Sequence, residues 1–259
     1  MLDEHFGHEP HWWPICSDTP QFEIVVGAVL VQQTRWEAVE AAIIRLRDAG
    51  LLSPAALAAA DTAALAARIR PCAFHTQKAP GLQAICRYLL EHYNGDLATL
   101  FAQERATLRV ELLALPRIGR ETADAIMLYA GGHPTFIVDA YARRLFARVN
   151  VLPGFDFLKA RYDDVQQLIE HAVPDVDWGL HIADFHLPAP ACGAQSAMCN
   201  FYRNFHALIT EACIHHCLAN KPRCDVPGAR RTFVDPRKCA EHCLTCGGCP
   251  ARPICAFRN

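Results

Sequence analysis

The 259-residue sequence has no uninterrupted apolar run of about eighteen residues, the length that a membrane-spanning helix needs, so we expect no membrane span. Its first residues, Met1 to His5, lack the basic and apolar regions of a secretory signal, which predicts a cytoplasmic protein. The alternating apolar and polar pattern of half-buried strands is nearly absent. Apolar residues recur instead at spacings of three and four, which predicts an all-α protein.

The chain also has little net charge. The formal value is −2, which by itself does not indicate a nucleic-acid partner. The charge is distributed unevenly, however, because from residue 200 onward nine basic residues stand against four acidic ones. A basic C-terminal part is suited to facing a polyanion.

Cysteine is the residue that the chain has in excess. There are thirteen, and in a reducing compartment such a surplus favours metal or cluster ligation over disulfides. Five of them fall in the last 21 residues: Cys239, Cys243, Cys246, Cys249 and Cys255. The C-terminal segment is therefore the candidate metal-binding part of the chain.

The stretch from Leu112 to Arg148 predicts a helix, a tight turn and a second helix. The first helix ends near Leu115, the turn is Pro116-Arg117-Ile118-Gly119, and the next helix begins near Arg120. Backbone N–H groups at the start of a helix form an anion site, so such a turn can grip the DNA backbone without reading base sequence. An ordinary helix connection is the alternative for an isolated turn of this kind.

The segment from Leu115 to Arg120, together with Val138-Asp139, resembles the helix-hairpin-helix and Gly/Pro-Asp signature of the endonuclease III superfamily of DNA glycosylases. The resemblance implies a two-lobed helix-hairpin-helix glycosylase fold with a C-terminal iron–sulfur cluster loop. We expect one six-helix domain over 21–135, and a second helical domain formed by 1–20 plus 136–259. Arg117 replaces a glycine of the hairpin, which leaves the left-handed backbone geometry at this position open.

The resemblance implies that Asp139 is the catalytic aspartate. Cleavage of an N-glycosidic bond builds positive charge on the sugar, and a fixed carboxylate stabilises that charge while activating water. A helix N-cap is the structural alternative for Asp139, and both roles are compatible. Glu121 occupies the place where strand-nicking members carry a Schiff-base lysine, so the resemblance implies a monofunctional glycosylase.

Two further segments resemble the 3-methyladenine DNA glycosylases of the endonuclease III type. They are His11-Trp12-Trp13-Pro14 and the stretch from Val31 to Val39. The resemblance implies the following contacts. The base pocket consists of Trp12, Trp13, Pro14 and Trp36, and DNA is contacted by Gln32, Gln33, Arg117, Ile118, Gly119 and Arg120. Core packing is the alternative for the tryptophans.

Some basic residues outside the motifs also have expected roles. Lys78 matches a family segment in which it makes a phosphate or packing contact. We expect phosphate contacts from Arg143, Arg144 and Arg148 of the helix after Asp139 or from the C-terminal basic residues, and the sequence leaves open which of them contact DNA.

The spacing Cys239-x6-Cys246-x2-Cys249-x5-Cys255 is that of the family's [4Fe–4S] ligands, although four thiolates also suit zinc. Cys217 and Cys224 repeat the first x6 spacing, as if an insertion followed them. Cys246, Cys249 and Cys255 are the firmer ligands, and the fourth is Cys239 or, alternatively, Cys217.

The sequence therefore predicts a monomeric, monofunctional DNA glycosylase of base excision repair, acting on double-stranded DNA that contains a damaged base. The expected substrates are alkylated purines such as 3-methyladenine, whose cationic base is attracted to an aromatic face. Two alternatives stay open. One is a glycosylase for another lesion, such as an oxidised pyrimidine or mispaired adenine, and the other is a DNA-damage binding protein without activity.

Overall fold

A computed structural model describes residues 1–7, 12–173, 194–225 and 248–257. Throughout these ranges, the regular elements are twelve α-helices and one short 3-10 helix, with no strand. The all-α prediction is confirmed. No helix of this described part is both long and apolar enough to cross a membrane.

The described residues divide into two compact units. The first lies within Met1–Pro14, Thr135–Leu187 and Ala197–Asn259, and the second within Ile15–Pro134 and Pro188–Ser196. Each unit is described separately below.

The second unit contains a succession of short helices. They are α2 (Pro20–Leu30), α3 (Trp36–Asp48), α4 (Pro54–Ala59), α5 (Thr62–Arg68), α6 (His75–Tyr93), α7 (Leu97–Phe101), α8 (Arg105–Ala114) and α9 (Arg120–Tyr129). Local sequence explains several starts, since Ser53, Asp61 and Asp96 each cap the first turn through a side-chain oxygen. Nearly all of α2 is buried, so it is the central helix of this unit.

The first unit contains α1 (Leu2–Phe6), α10 (Ala140–Val149), α11 (Tyr162–Ala172), most of α12 (Ala194–His215) and the 3-10 turn Arg252–Ile254. Its core is aromatic. Phe136 packs against Phe146 and Phe205 with ring centroids 6.0 and 5.7 Å apart, and Phe146 contacts Phe157 at 5.5 Å. This cluster fixes the segment that leads from residue 135 into α10.

Candidate functional site

The hairpin between α8 and α9 forms as the sequence predicts. The N–H of Ile118 donates to the carbonyl of Leu115 at 3.3 Å, and the Ile118 side chain is 5% exposed. The buried Ile118 side chain thus anchors the turn to the interior of the unit. Arg117 adopts φ +66°, so the left-handed geometry that the sequence left open is present without a glycine.

Contacts around Arg117 offset its unfavourable backbone conformation. Its carbonyl accepts a hydrogen bond from Gln32 Nε2 at 2.8 Å, and its Nη1 donates to Gln77 Oε1 at 3.4 Å. Its aliphatic stem lies over Gly81 of α6, where a Cβ atom would stand 2.5 Å from Arg117 Cγ. Gly81 therefore provides the space that the arginine occupies.

An ion pair fastens the two helices of the hairpin. Arg109 of α8 donates from Nε and Nη2 to the carboxylate of Asp124 of α9, at 2.7 and 3.1 Å. Asp124 is fully buried. A bidentate pair of this kind sets both the spacing and the direction of the helices.

The start of α9 is open to solvent. Gly119 has φ −92°, which any residue adopts, and a Cβ at this position would meet no atom within 4 Å. Neither the backbone nor the packing of the protein therefore requires a glycine here. The missing side chain leaves the helix N-terminus accessible, and the exposed residues Arg120 and Glu121 follow it.

Lys78 supports the loop after α2 through hydrogen bonds of its buried side chain. The Lys78 side chain is fully buried, and its Nζ donates to the carbonyls of Leu30 and Gln32 at 2.8 and 2.7 Å and to Thr34 Oγ1 at 3.2 Å. Burial lowers the pKa of Lys78, while these acceptors satisfy the ammonium group. Of the two expected contacts, the structure gives the packing one.

The same loop presents its two glutamines differently. Gln33 is exposed and has φ +53°. Gln32 is directed back to the hairpin, where its Nε2 bonds the carbonyl of Arg117 and Thr122 Oγ1 at 2.8 and 2.9 Å. The two predicted DNA-contacting elements of this unit are therefore joined by Gln32.

Asp139 caps α10. Its Oδ1 accepts the Ala142 N–H at 2.7 Å, and the residue is 8% exposed. Its Oδ2 lies 3.6 Å from Nε2 of His206, a residue of α12. The helix start that the sequence predicts at this carboxylate is confirmed, and the carboxylate is both shielded and oriented.

One face of α11 holds the extended segment that precedes Asp139. The Phe136 N–H donates to Glu170 Oε1 at 2.9 Å, and Gln166 Nε2 donates to the Phe136 carbonyl at 2.7 Å. The Val138 N–H donates to the Tyr162 hydroxyl at 3.2 Å. Residues 162, 166 and 170 are spaced by four, so they lie along one helix face.

The predicted pocket residues of the N-terminal segment lie in the same unit as Asp139. Trp12 Nε1 donates to Glu211 Oε1 at 3.0 Å, and its indole contacts the His206 ring edge-on, with centroids 5.2 Å apart. Trp13 and Pro14 follow and are half-buried. Trp36, at the start of α3, is half-buried and belongs to the other unit.

Four cysteines gather near the end of α10. The N–H of Cys249 donates to the carbonyl of Cys224 at 2.9 Å. Arg148 lies between two others, because its Nη1 is 3.2 Å from Cys217 Sγ and its carbonyl is 3.5 Å from Cys255 Sγ. Burial raises the pKa of Cys249 to about 11, and the neighbouring charges of Cys224, Cys217 and Cys255 add to that rise.

Cys217 differs from its neighbours in its electrostatics. A hydrogen bond from the Cys213 thiol, together with Arg148, lowers the pKa of Cys217 to about 6, whereas the same bond and burial raise that of Cys213. Among the described residues, no three His, Cys, Asp or Glu side chains converge as they would around one metal ion. Cys239 and Cys246 lie outside the described ranges.

The three arginines of α10 donate hydrogen bonds within the protein. Arg143 Nη1 donates to the carbonyls of Phe157 and Ala160 at 2.7 and 2.9 Å. Arg144 Nε donates to the Cys217 carbonyl at 2.6 Å. Arg148 donates to the carbonyls of Leu218 and Ala219, at 2.7 and 2.8 Å. A basic residue on an amphipathic helix satisfies orphan carbonyls as readily as it binds a polyanion.

Sequence reasoning missed His206 and Glu211. They lie about seventy residues beyond Asp139, and no local motif connects them to it. The available signal was their position on α12, where the spacing from His206 through Thr210 to Cys213 follows one helix face toward the cysteine cluster.

Comparison with known proteins agrees with this geometry. The family described as HhH-GPD superfamily base excision DNA repair protein matches residues 26–175. A relative from Methanocaldococcus jannaschii, named "Putative DNA repair glycosylase MJ1434", is 34% identical over 227 residues, covering 87% of this chain and 89% of its own. Endonuclease III of Escherichia coli is 26% identical over 217 residues, covering 84% and 85%.

A solved structure is similar in both sequence and fold. The Helicobacter pylori 3-methyladenine DNA glycosylase MagIII, bound to 1,N6-ethenoadenine, superposes with a TM-score of 0.61 at 25% identity. The superposition covers 81% of this chain and 89% of that one.

Proposed function

Because this chain belongs to the HhH-GPD superfamily of base excision DNA repair proteins, we propose that it is a monofunctional glycosylase that removes alkylated purines. DNA glycosylase activity is the property of the family. Beyond that activity, we propose the type of lesion that is removed, the absence of strand nicking and an iron–sulfur cluster. Each of these three proposals is argued below from residues of this chain.

The observation that carries the proposal is the setting of Asp139. The carboxylate is nearly buried, one of its oxygens caps α10, and the segment before it is bonded to α11. When the bond from C1′ to the base breaks, positive charge develops on the sugar, and an oriented anion stabilises it without reorganisation. The same carboxylate directs a water molecule toward C1′.

Glu121 supports hydrolysis without strand nicking. It lies in the first turn of α9 and is exposed. A carboxylate cannot form the Schiff base that a lysine forms with deoxyribose. Water is then the nucleophile, and the product is an intact strand with an abasic site.

The aromatic residues near Asp139 support a cationic base as the substrate. Trp12 is half-buried in the same unit, and a hydrogen bond to Glu211 fixes its indole. An indole face attracts a cationic ring by about 0.5–2 kcal/mol. Alkylation at N3 also makes the purine a good leaving group, so little general-acid catalysis is required.

The hairpin supports contact with the DNA backbone. The open N-terminus of α9 at Gly119 offers amide donors to a phosphate, and the exposed residues Arg117 and Arg120 add positive charge. Gln33 is exposed on the neighbouring loop, and in this proposal it contacts the bases.

The cysteine cluster supports a [4Fe–4S] cofactor, and we assign its ligands as Cys217, Cys224, Cys249 and Cys255. This set keeps the x6 and x5 spacings and places an insertion between Cys224 and Cys249. Each thiolate of such a cluster binds a different iron, so its ligands stand farther apart than those of a single ion. When bound, the cluster would cross-link the C-terminal segment to the end of α12.

The ligand assignment has a direct test. Iron content and visible absorption should be lost in Cys224→Ser and retained in Cys239→Ser. The reverse result would favour the set Cys239, Cys246, Cys249 and Cys255 instead.

Base release tests the proposed activity. The protein is incubated with duplexes containing 3-methyladenine, 7-methylguanine, an oxidised pyrimidine or mispaired adenine, and free base and strand breaks are measured separately. We expect release of alkylated purines without breaks, and loss of release in Asp139→Asn. Release confined to another lesion would overturn the substrate assignment, and abasic-site binding without any release would make the chain a damage-binding protein.

A further inference from the structure

His206 is the side chain that faces the oxygen of Asp139 not used for capping. Oδ1 is occupied by the Ala142 N–H, whereas Oδ2 lies 3.6 Å from His206 Nε2. Both side chains are shielded, with 10% exposure for His206 and 11% for Asp139. The distance is longer than a hydrogen bond, and an approach of about 0.5 Å would make it one.

The His206 ring is positioned by the same tryptophan that we place in the base pocket. The indole of Trp12 meets it at an interplanar angle of 84°. Glu211, one helical turn beyond His206, holds the indole through Oε1 and contacts His215 through Oε2 at 3.0 Å. A series of contacts thus runs from the N-terminal segment through Trp12 and His206 to Asp139.

The charged surroundings of this pair come from α10 and α12. Asp139 faces His206 from the start of α10, and Glu211 of α12 reaches it through Trp12. Farther along α12, the charge of Asp139 raises the pKa of the buried Cys213 thiol, and the charge of Arg144 lowers it. In the described contacts, the carboxylate of Asp139 is the charge directly opposite the imidazole.

Hydrolysis requires a proton acceptor beside the water molecule that attacks C1′. The bond from C1′ to the base nitrogen breaks with its electron pair passing to the base, and a water oxygen bonds to C1′. An alkylated purine cation leaves as a neutral molecule, so it does not consume the proton that water loses. That proton passes to Asp139, which must return to its anionic form before the next turnover.

We propose that His206 is a positioning residue that acts through Asp139: its Nε2 accepts the proton that Oδ2 takes from the attacking water. The inference rests on the proposed hydrolytic function. An imidazole ordinarily titrates near neutrality, so it can take a proton from a carboxylic acid and release it to solvent. The carboxylate is thereby restored as the anion that stabilises the sugar cation.

The test is the pH dependence of multiple-turnover release of 3-methyladenine by the wild type and His206→Gln, because restoring the anion limits only the turnovers after the first. Methylation, not protonation, supplies the charge of this base. Glutamine has a similar size but cannot accept the proton. For the wild type, we expect the rate to fall as the pH is lowered, because a protonated imidazole cannot accept the proton.

His206→Gln should lack this fall and stay about tenfold below the wild-type plateau at about pH 8, a modest share of the effect of a general base. His171→Gln, which alters an exposed histidine of α11, is the matched control and should keep the wild-type profile. Binding to an abasic duplex verifies that each variant is folded, and His206→Asn replaces the glutamine variant if that one does not fold.

Two results would overturn the inference. A variant rate lowered by the same factor at every pH, with the acidic fall kept, would mean that His206 only packs. A variant that reaches the wild-type plateau would mean that no proton is accepted there. If the wild type releases base, these results concern His206 alone; if it releases none from any lesion, the proposed function fails as well.

Discussion

Alanine at position 81 should have opposite effects on stability depending on the residue at position 117. In the wild-type background, a Cβ at position 81 would stand 2.5 Å from Arg117 Cγ. The contact involves an atom near the root of the side chain, so Arg117 must leave its rotamer to relieve it. Overpacking of this kind costs about 1–3 kcal/mol, against a gain of about 0.5–1 kcal/mol for alanine over glycine inside a helix. Gly81→Ala should therefore destabilise by roughly 1–2 kcal/mol.

In the Arg117→Gly background the obstruction is absent, and Gly81→Ala should stabilise by about 0.5–1 kcal/mol. Arg117→Gly by itself should change stability little. Relief of about 1 kcal/mol at φ +66° is offset by greater freedom of the unfolded chain and by loss of the Gln77 contact. The expected coupling between positions 81 and 117 is thus about 2 kcal/mol.

Urea denaturation of the wild type, both single variants and the double variant measures this coupling. Thermal denaturation provides a second measure, since 1 kcal/mol corresponds to roughly 2–4 °C for a chain near this size. Equal effects of Gly81→Ala in the two backgrounds would refute the argument that glycine at position 81 exists to accommodate the arginine. A coupling of the opposite sign would refute it equally.

Three further predictions concern the hairpin and its support. Gly119→Ala should leave the melting temperature unchanged, because its Cβ meets no atom within 4 Å, yet it should weaken duplex binding in an anisotropy titration; unchanged binding would remove the helix N-terminus from the interface. Glu121→Lys should form a covalent adduct with damaged DNA on borohydride reduction, and absence of an adduct would show that position 121 does not reach the sugar. Lys78→Met should destabilise by about 1–3 kcal/mol, measured by urea denaturation, because the carbonyls of Leu30 and Gln32 lose their buried donor. An unaffected stability would contradict that role of Lys78.

Local features of the protein could be predicted from the sequence. The helical fold follows from the spacing of apolar residues, and the start of α10 follows from an aspartate at a capping position. The hairpin was predicted as well, but the conformation of Arg117 was not. Its stabilising partners, Gln32 and Gly81, are distant in sequence, and no local pattern indicates them.

Features that depend on distant contacts could not be predicted. The pairing of His206 with Asp139 requires α12 to pack beside the start of α10, which is a property of the tertiary structure. The direction of a long side chain is similarly undetermined, so the sequence left open whether Arg144 and Arg148 contact phosphates, and it did not indicate the carbonyls of their own chain that they bond. Residue type predicts which contacts are possible, whereas packing selects among them.

The bonding of residues 135–138 to Tyr162, Gln166 and Glu170 has an evolutionary consequence. The peptide that carries the proposed catalytic carboxylate is held by a helix that begins more than twenty residues later, outside the short motif around the aspartate. Two homologues can therefore have identical residues around the aspartate and still differ in turnover, because substitutions along that helix displace the carboxylate. Sequence comparisons that infer catalytic activity from the short motif around the aspartate should therefore also compare Tyr162, Gln166 and Glu170.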